Sequence, residues 1–207
     1  MSTTILEGLN VAPGSPTTIS TTSDTKITVN ALPGTDLWRK PPSTNLVNAP
    51  AYVAYRPLKQ FKRASVTVSA EWTRPYDHGG LVFYFNPPGE KYQSWMKTGI
   101  EMFDGKPHVG TVATPSGGYA DLSLVSTGGK SVAIEVVAKQ PSLEVYLVEG
   151  DKRVLIRQVT WVFQEGQELL LGVGVFAARP TKIEGEAVGK GEALAVLFEG
   201  LEIEWTD

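Results

Sequence analysis

The residues best placed to do chemistry lie in Trp95-Met96-Lys97-Thr98-Gly99-Ile100-Glu101. Side chains on a strand alternate with a period of two, so Trp95, Lys97, Gly99 and Glu101 share one face, and Thr98, Ile100 and Met102 share the other. One face then carries an aromatic ring, a cation, a gap and an anion. A packed wall needs no such mixture, whereas a wall that touches a polar ligand does. Two residues along a strand span ~6.6 Å, which sets Lys97 and Glu101 ~13 Å apart and predicts that each meets water, a ligand or a neighbouring strand rather than the other. Gly99 between them predicts room for a ligand to approach the backbone. The competing reading is the solvated side of an edge strand.

Three further groups could join such a face. Asp77-His78-Gly79-Gly80-Leu81 places an acid and a histidine before two glycines; the plainer reading is an Asx-type turn launching a strand, with His78 a turn residue rather than a catalyst. In Tyr119-Ala120-Asp121-Leu122-Ser123, Asp121 and Ser123 share a face, and Asp121 can pair with Lys97 if the strands are neighbours. Trp38 sits beside Arg39 and Lys40 in a proline-rich stretch, where it can stack on a sugar or plug the end of a sandwich. Tyr84 and Arg157 join the candidates by strand parity alone. Glycoside cleavage needs two acids on one face, ~5–10 Å apart. Glu202 and Glu204 have that spacing, but they lie on the last strand without the Glu-x-Asp-x-x-Glu order of sandwich glucanases. No Gly-x-Ser-x-Gly elbow, P-loop or dinucleotide fingerprint is present.

Composition narrows the chemistry. None of the 207 residues is cysteine, which excludes disulfides, thiolate metal sites and a cysteine nucleophile. Two histidines, His78 and His108, argue against a histidine-rich metal centre, and no carboxylate cluster is dense enough to predict calcium, so neither metal nor cofactor is expected. The net charge of −3, with both signs scattered, gives no long-range attraction to nucleic acid or anionic membrane. Met1 to Gly14 has neither a basic nor an apolar leader region, no run of ~18 apolar residues occurs, and no Asn-x-Ser/Thr acceptor is present; the expected location is the cytosol.

The elements that must position these residues read as strands. Residues 1–24 form a partly irregular lead-in, and 33–50, with Pro33, Pro41, Pro42 and Pro50, reads as loop with short edge pieces at most. Alternation or apolar runs mark strands at Thr25–Val29, Ala64–Trp72, Leu81–Phe85, Trp95–Phe103, His108–Ala113, Ser131–Val137, Leu143–Val148, Val154–Val159, Leu169–Ala178 and Ala193–Trp205, the last with a register break near Gly200. Asn86-Pro87-Pro88-Gly89 and Asp104-Gly105 are turn signals, and Thr181 to Glu192 reads as loop. About a dozen strands and no convincing helix predict an all-β chain, a two-sheet antiparallel jelly-roll sandwich, with 1–207 as one domain; at this length roughly 70% of the unfolded surface is buried.

Asp77-x-Gly-Gly-Leu81, Trp95-x-Lys97-x-Gly99-Ile100-Glu101, Val109-Gly-Thr-Val112, Asp121-x-Ser123 and Gly174-Val-Phe-Ala177 with Pro180 together resemble the concanavalin A-like family linked to regulation of enolase, over about residues 35–205. The chain departs from that family's Ser-Asp-Trp-Ser at Ala120-Asp121-Leu122-Ser123. The resemblance implies a lectin/glucanase-type sandwich and an intracellular protein acting through regulation of sugar metabolism. The expectation is a non-catalytic binding or regulatory module whose concave sheet takes a polar, sugar-like small molecule or a metabolic enzyme. Its site would draw on Trp95, Lys97, Glu101 and Asp121, with Asp77, Trp38, Tyr84 and Arg157 around them. The alternative is an enzyme on the same face, either a hydrolase or an isomerase or cyclase of a specialised pathway. Oligomeric state is not legible in the residues.

Overall fold

The computed structural model describes residues 9–12, 19–23 (backbone), 26–85, 93–163 and 169–206. The turn read at Asn86–Gly89 and residues 1–8, 13–18 and 24 of the lead-in lie outside them.

The strands run in chain order β1 (Asn10–Val11), β2 (Ile19–Ser23), β3 (Lys26–Ala31), β4 (Leu37–Lys40), β5 (Thr44–Val47), β6 (Ala51–Pro57), β7 (Phe61–Ser69), β8 (His78–Phe85), β9 (Ser94–Phe103), β10 (Lys106–Thr114), β11 (Asp121–Ser126), β12 (Ser131–Lys139), β13 (Ser142–Glu149), β14 (Lys152–Val159), β15 (Leu170–Ala178) and β16 (Leu194–Trp205). They make two seven-stranded sheets, ordered β1-β6-β15-β8-β9-β10-β11 and β14-β13-β12-β7-β16-β3-β2, with every pairing antiparallel. β4 and β5 form a separate hairpin. This is the two-sheet sandwich that the alternation predicts. The turns obey local chemistry: Asp104 (φ 51°) and Gly105 (φ 72°) both take the left-handed conformation, which matches the twist of the β9–β10 hairpin. The β16 ladder shifts register between Glu199 and Glu202, around Gly200.

Two apolar layers flank the first sheet. The main core lies between the sheets and includes Phe83, Phe85, Met96 and Ile100 facing Val66, Val68 and Phe198. The opposite face of the first sheet carries a second cluster, in which Val82, Tyr84, Trp95 and Val112 pack with Leu37 of the β4–β5 hairpin. With a layer on each side, β8 buries all eight of its residues. That is why its sequence reads as a continuous apolar run rather than an alternation. The proline-rich segment read as loop is therefore a lid over one half of the first sheet, and it leaves the other half open.

Candidate functional site

Pairing across β15, β8, β9, β10 and β11 arranges the outer face of the first sheet in rows. One row runs Ala178, His78, Glu101, His108, Ser126; the next Phe176, Gly80, Gly99, Gly110, Leu124; the third Gly174, Val82, Lys97, Val112, Leu122. Directly paired residues point to the same side of a sheet, so Lys97, Glu101 and His78 rise from one face across a row of three glycines. The missing side chains leave a trough, and the lysine stem crosses it. Lys97 Nζ lies 2.9 Å from His78 Nε2 and 3.9 Å from Glu101 Oε2. The expectation that Lys97 and Glu101 are too far apart to meet is thereby corrected. It counted backbone rise and omitted the reach of two long side chains over a position with none.

Gly99 does not open the backbone to a ligand, which corrects the expectation drawn from the residue type. A Cβ there would lie 2.6 Å from Gly80 Cα and closer still to the Gly79 carbonyl oxygen. The glycines instead permit β8 and β9 to approach each other.

The 33–50 segment supplies the missing side of the site. Asp36 is held by its own backbone: its N–H donates to Asn48 Oδ1 (2.8 Å), its carbonyl accepts the Asn48 and Ala49 N–H groups (3.1 Å each), and its Oδ1 accepts the Leu37 N–H (2.7 Å). This places Oδ1 3.6 Å from His78 Nε2. Trp38 follows, its ring centroid 6.0 Å from Lys97 Nζ, and Phe176 presents its ring at the same distance. Above these groups is a cavity of about 380 Å³ with Asp36, His78, Lys97 and Glu101 at its floor and Trp38, Tyr76, Phe103, Leu122 and Pro180 as walls. Tyr76 and Phe103 pack edge to face, centroids 6.2 Å apart.

The electrostatics follow from this geometry. His78 Nδ1 lies 2.7 Å from the Tyr76 carbonyl oxygen and must donate to it, so Nε2 carries the lone pair that accepts from the Lys97 ammonium. Burial first, and the adjacent ammonium second, hold the His78 pKa well below 6.5, leaving the ring neutral. Burial raises the Asp36 and Glu101 pKa values, against the opposing pull of Lys97; Asp36 adds to the rise at Glu101.

Of the residues expected from sequence, Lys97, Glu101 and Trp38 meet at this cavity. Trp95 shares their face, as predicted, but is fully buried beneath the hairpin, and Tyr84 lies beside it in the second cluster. Asp77 is turned away into a buried pair with Arg179, whose Nε and Nη2 donate to its two carboxylate oxygens at 3.0 and 2.9 Å; the Thr73 and Arg74 N–H groups add two more bonds. Asp77 therefore holds the turn from which Tyr76 and His78 project.

Asp121 cannot reach Lys97. β10 intervenes, and Asp121 opposes Ala113 and thus Met96, on the core side. It pairs with Arg157 of β14 at 2.5 Å, tying the two sheets together at one edge beside a separate 250 Å³ depression. His78, read as a turn residue, is instead a buried member of the site, and Asp36 was missed. The signal for His78 was its even spacing into the Leu81–Phe85 strand; Asp36 had no local signal.

A profile of the family described as "protein of unknown function (DUF1349)" matches residues 14–205. The uncharacterized protein AN7484 of Emericella nidulans is 44% identical over 186 residues, 88% of each chain. Among solved structures, a functionally unknown protein from Saccharomyces cerevisiae superposes with a TM-score of 0.75 at 19% identity, over 98% of both chains. The GH43 protein BlXynB from Bacillus licheniformis superposes at 0.59 and 14% identity, over 86% of this chain but only 32% of its own. At such identities the likeness is one of fold, a two-sheet antiparallel β-sandwich. No link to enolase regulation accompanies these matches.

Proposed function

For this chain, which belongs to the DUF1349 family, we propose a binding module that takes a small polyhydroxylated molecule over the outer face of its first sheet. The observation that carries the reading is the juxtaposition of Lys97, Glu101, Asp36 and His78 at the floor of an open, aromatic-walled cavity. A sheet face needed only for packing would be closed with apolar side chains, as the hairpin-covered half of this same sheet is. The volume of about 380 Å³ is at the small end of ligand sites, which span ~300–1,000 Å³. Aromatic walls offer stacking to the C–H faces of a sugar ring, and the floor offers donors and acceptors to its hydroxyls.

Binding is favoured over acid–base turnover because His78 has both ring nitrogens engaged, one by the Tyr76 carbonyl and one by Lys97. The side chain best suited to carry protons near neutrality is committed to orienting the lysine. The observation favouring an enzyme is the pair of buried carboxyls with raised pKa, since perturbed carboxyls in a cleft are a common feature of acid–base sites.

Calorimetry and thermal unfolding with neutral mono- and disaccharides test the proposal. A ligand at ~100 times its Kd should stabilise the wild type by about 2.7 kcal/mol. Lys97→Met, which keeps the stem and drops the charge, should weaken that ligand. Silence across the panel, or equal affinity in the variant, would remove the site. Turnover of aryl glycosides that is lost in Glu101→Gln would establish the enzymatic reading instead.

A further inference from the structure

Glu101 is 7% exposed and its carboxylate lines the cavity, yet it accepts no hydrogen bond from any described residue. Lys97, its nearest cation, stands at 3.9 Å, beyond hydrogen-bonding distance, and spends its closest contact on His78. Asp36 Oδ1 takes the Leu37 N–H, while no donor among the described residues reaches its Oδ2. These oxygens face the open cavity, where a ligand can bring the donors that the surrounding side chains do not.

The charge balance says which kind. His78 is neutral, and the charged groups lining the cavity are Lys97 on one side and Asp36 and Glu101 on the other, two anions against one cation. Arg179 behind them is matched by Asp77 in a bidentate pair. A neutral sugar would satisfy oxygens but leave the excess charge. A sugar acid or phosphate would add another anion beside two carboxylates. A protonated amine supplies donors and the missing charge together, and the Trp38 ring, already 6.0 Å from one ammonium, suits a second cation.

We propose that the ligand is a small polyhydroxylated amine, an amino sugar in its simplest form, with its ammonium seated against Glu101 and Asp36. This rests on the reading of the cavity as a saccharide-sized binding site and specifies its substrate class.

Calorimetric titration at neutral pH with glucosamine, glucose and N-acetylglucosamine separates the two claims. Glucosamine should bind about tenfold or more tightly than either neutral sugar. In Glu101→Gln, which keeps the shape and removes one charge, that preference for glucosamine over glucose should collapse. Asp36→Asn gives the same reading if the first variant does not fold. Glucose or N-acetylglucosamine binding as tightly as glucosamine overturns the amine inference and leaves the saccharide site standing. Absence of binding by all three at about 50 mM overturns both.

Discussion

Replacing Gly99 by alanine tests the packing on which the site is built. The added Cβ would lie 2.6 Å from Gly80 Cα, with the Gly79 carbonyl still nearer, where ordinary contacts fall at 3.4–4 Å. Both obstacles are backbone, so no rotamer change relieves them, and β8 must move from β9 by ~1 Å. A shift of that size stretches the flanking ladder bonds past useful length, at about 1 kcal/mol net for each of two. Overpacking adds ~1–3 kcal/mol. The reduced freedom of the unfolded alanine chain returns ~0.4–1 kcal/mol. The expected loss is thus ~2–5 kcal/mol. With a urea slope of about 2–3 kcal/mol per molar, the midpoint should fall by about 1 M or more. Gly128→Ala is the control, because nothing lies within 4 Å of a Cβ there and its φ is ordinary; it should stay within about 0.5 kcal/mol. A Gly99→Ala midpoint indistinguishable from the Gly128→Ala control would refute the close approach of the two strands. With it would go the account of how Lys97 reaches His78.

The other predictions concern charge and binding. Asp77→Ala leaves Arg179 buried without its partner and should lower stability by ~3–5 kcal/mol, whereas Asp121→Ala, at an exposed rim pair, should lower it by no more than ~1 kcal/mol; urea midpoints that rank the two the other way contradict the assignment. Burial raises the Glu101 pKa above 4.5, so the native state holds that proton more tightly than the unfolded chain, and the associated stability is present below pH 4.5 and lost as pH climbs through the raised value. Glu101→Gln should therefore be more stable than wild type at neutral pH, with the difference fading toward pH 4.5, and a difference independent of pH would count against a buried carboxylate. Trp38→Ala should weaken the saccharide found in the binding screen about tenfold without unfolding the chain, since Trp38 is only half buried; unchanged calorimetric affinity would take this ring out of the site.

Much of the architecture could be read along the chain because it rests on local rules. The period-two alternation of Trp95 to Met102 correctly assigned each side chain to a face, and Asp104-Gly105 marked its hairpin. These signals arise from backbone geometry within a few residues, which a sequence records directly. Parity also grouped Tyr84 with Trp95 correctly, but it carries no information about what lies above a face. The hairpin at 37–47 buries that half of the sheet and leaves the Lys97–Glu101 half open, a division set by contacts between segments about fifty residues apart. For the same reason Asp121 read as a partner for Lys97 until the sheet order put β10 between them and turned its side chain toward Arg157 of the second sheet. Asp36 and His78 joined the site through pairing and loop closure that no local pattern encodes. Residue types and spacing determined which groups could act together on one strand; only the folded arrangement decided which distant groups would face them, because convergence across strands depends on sheet order and register.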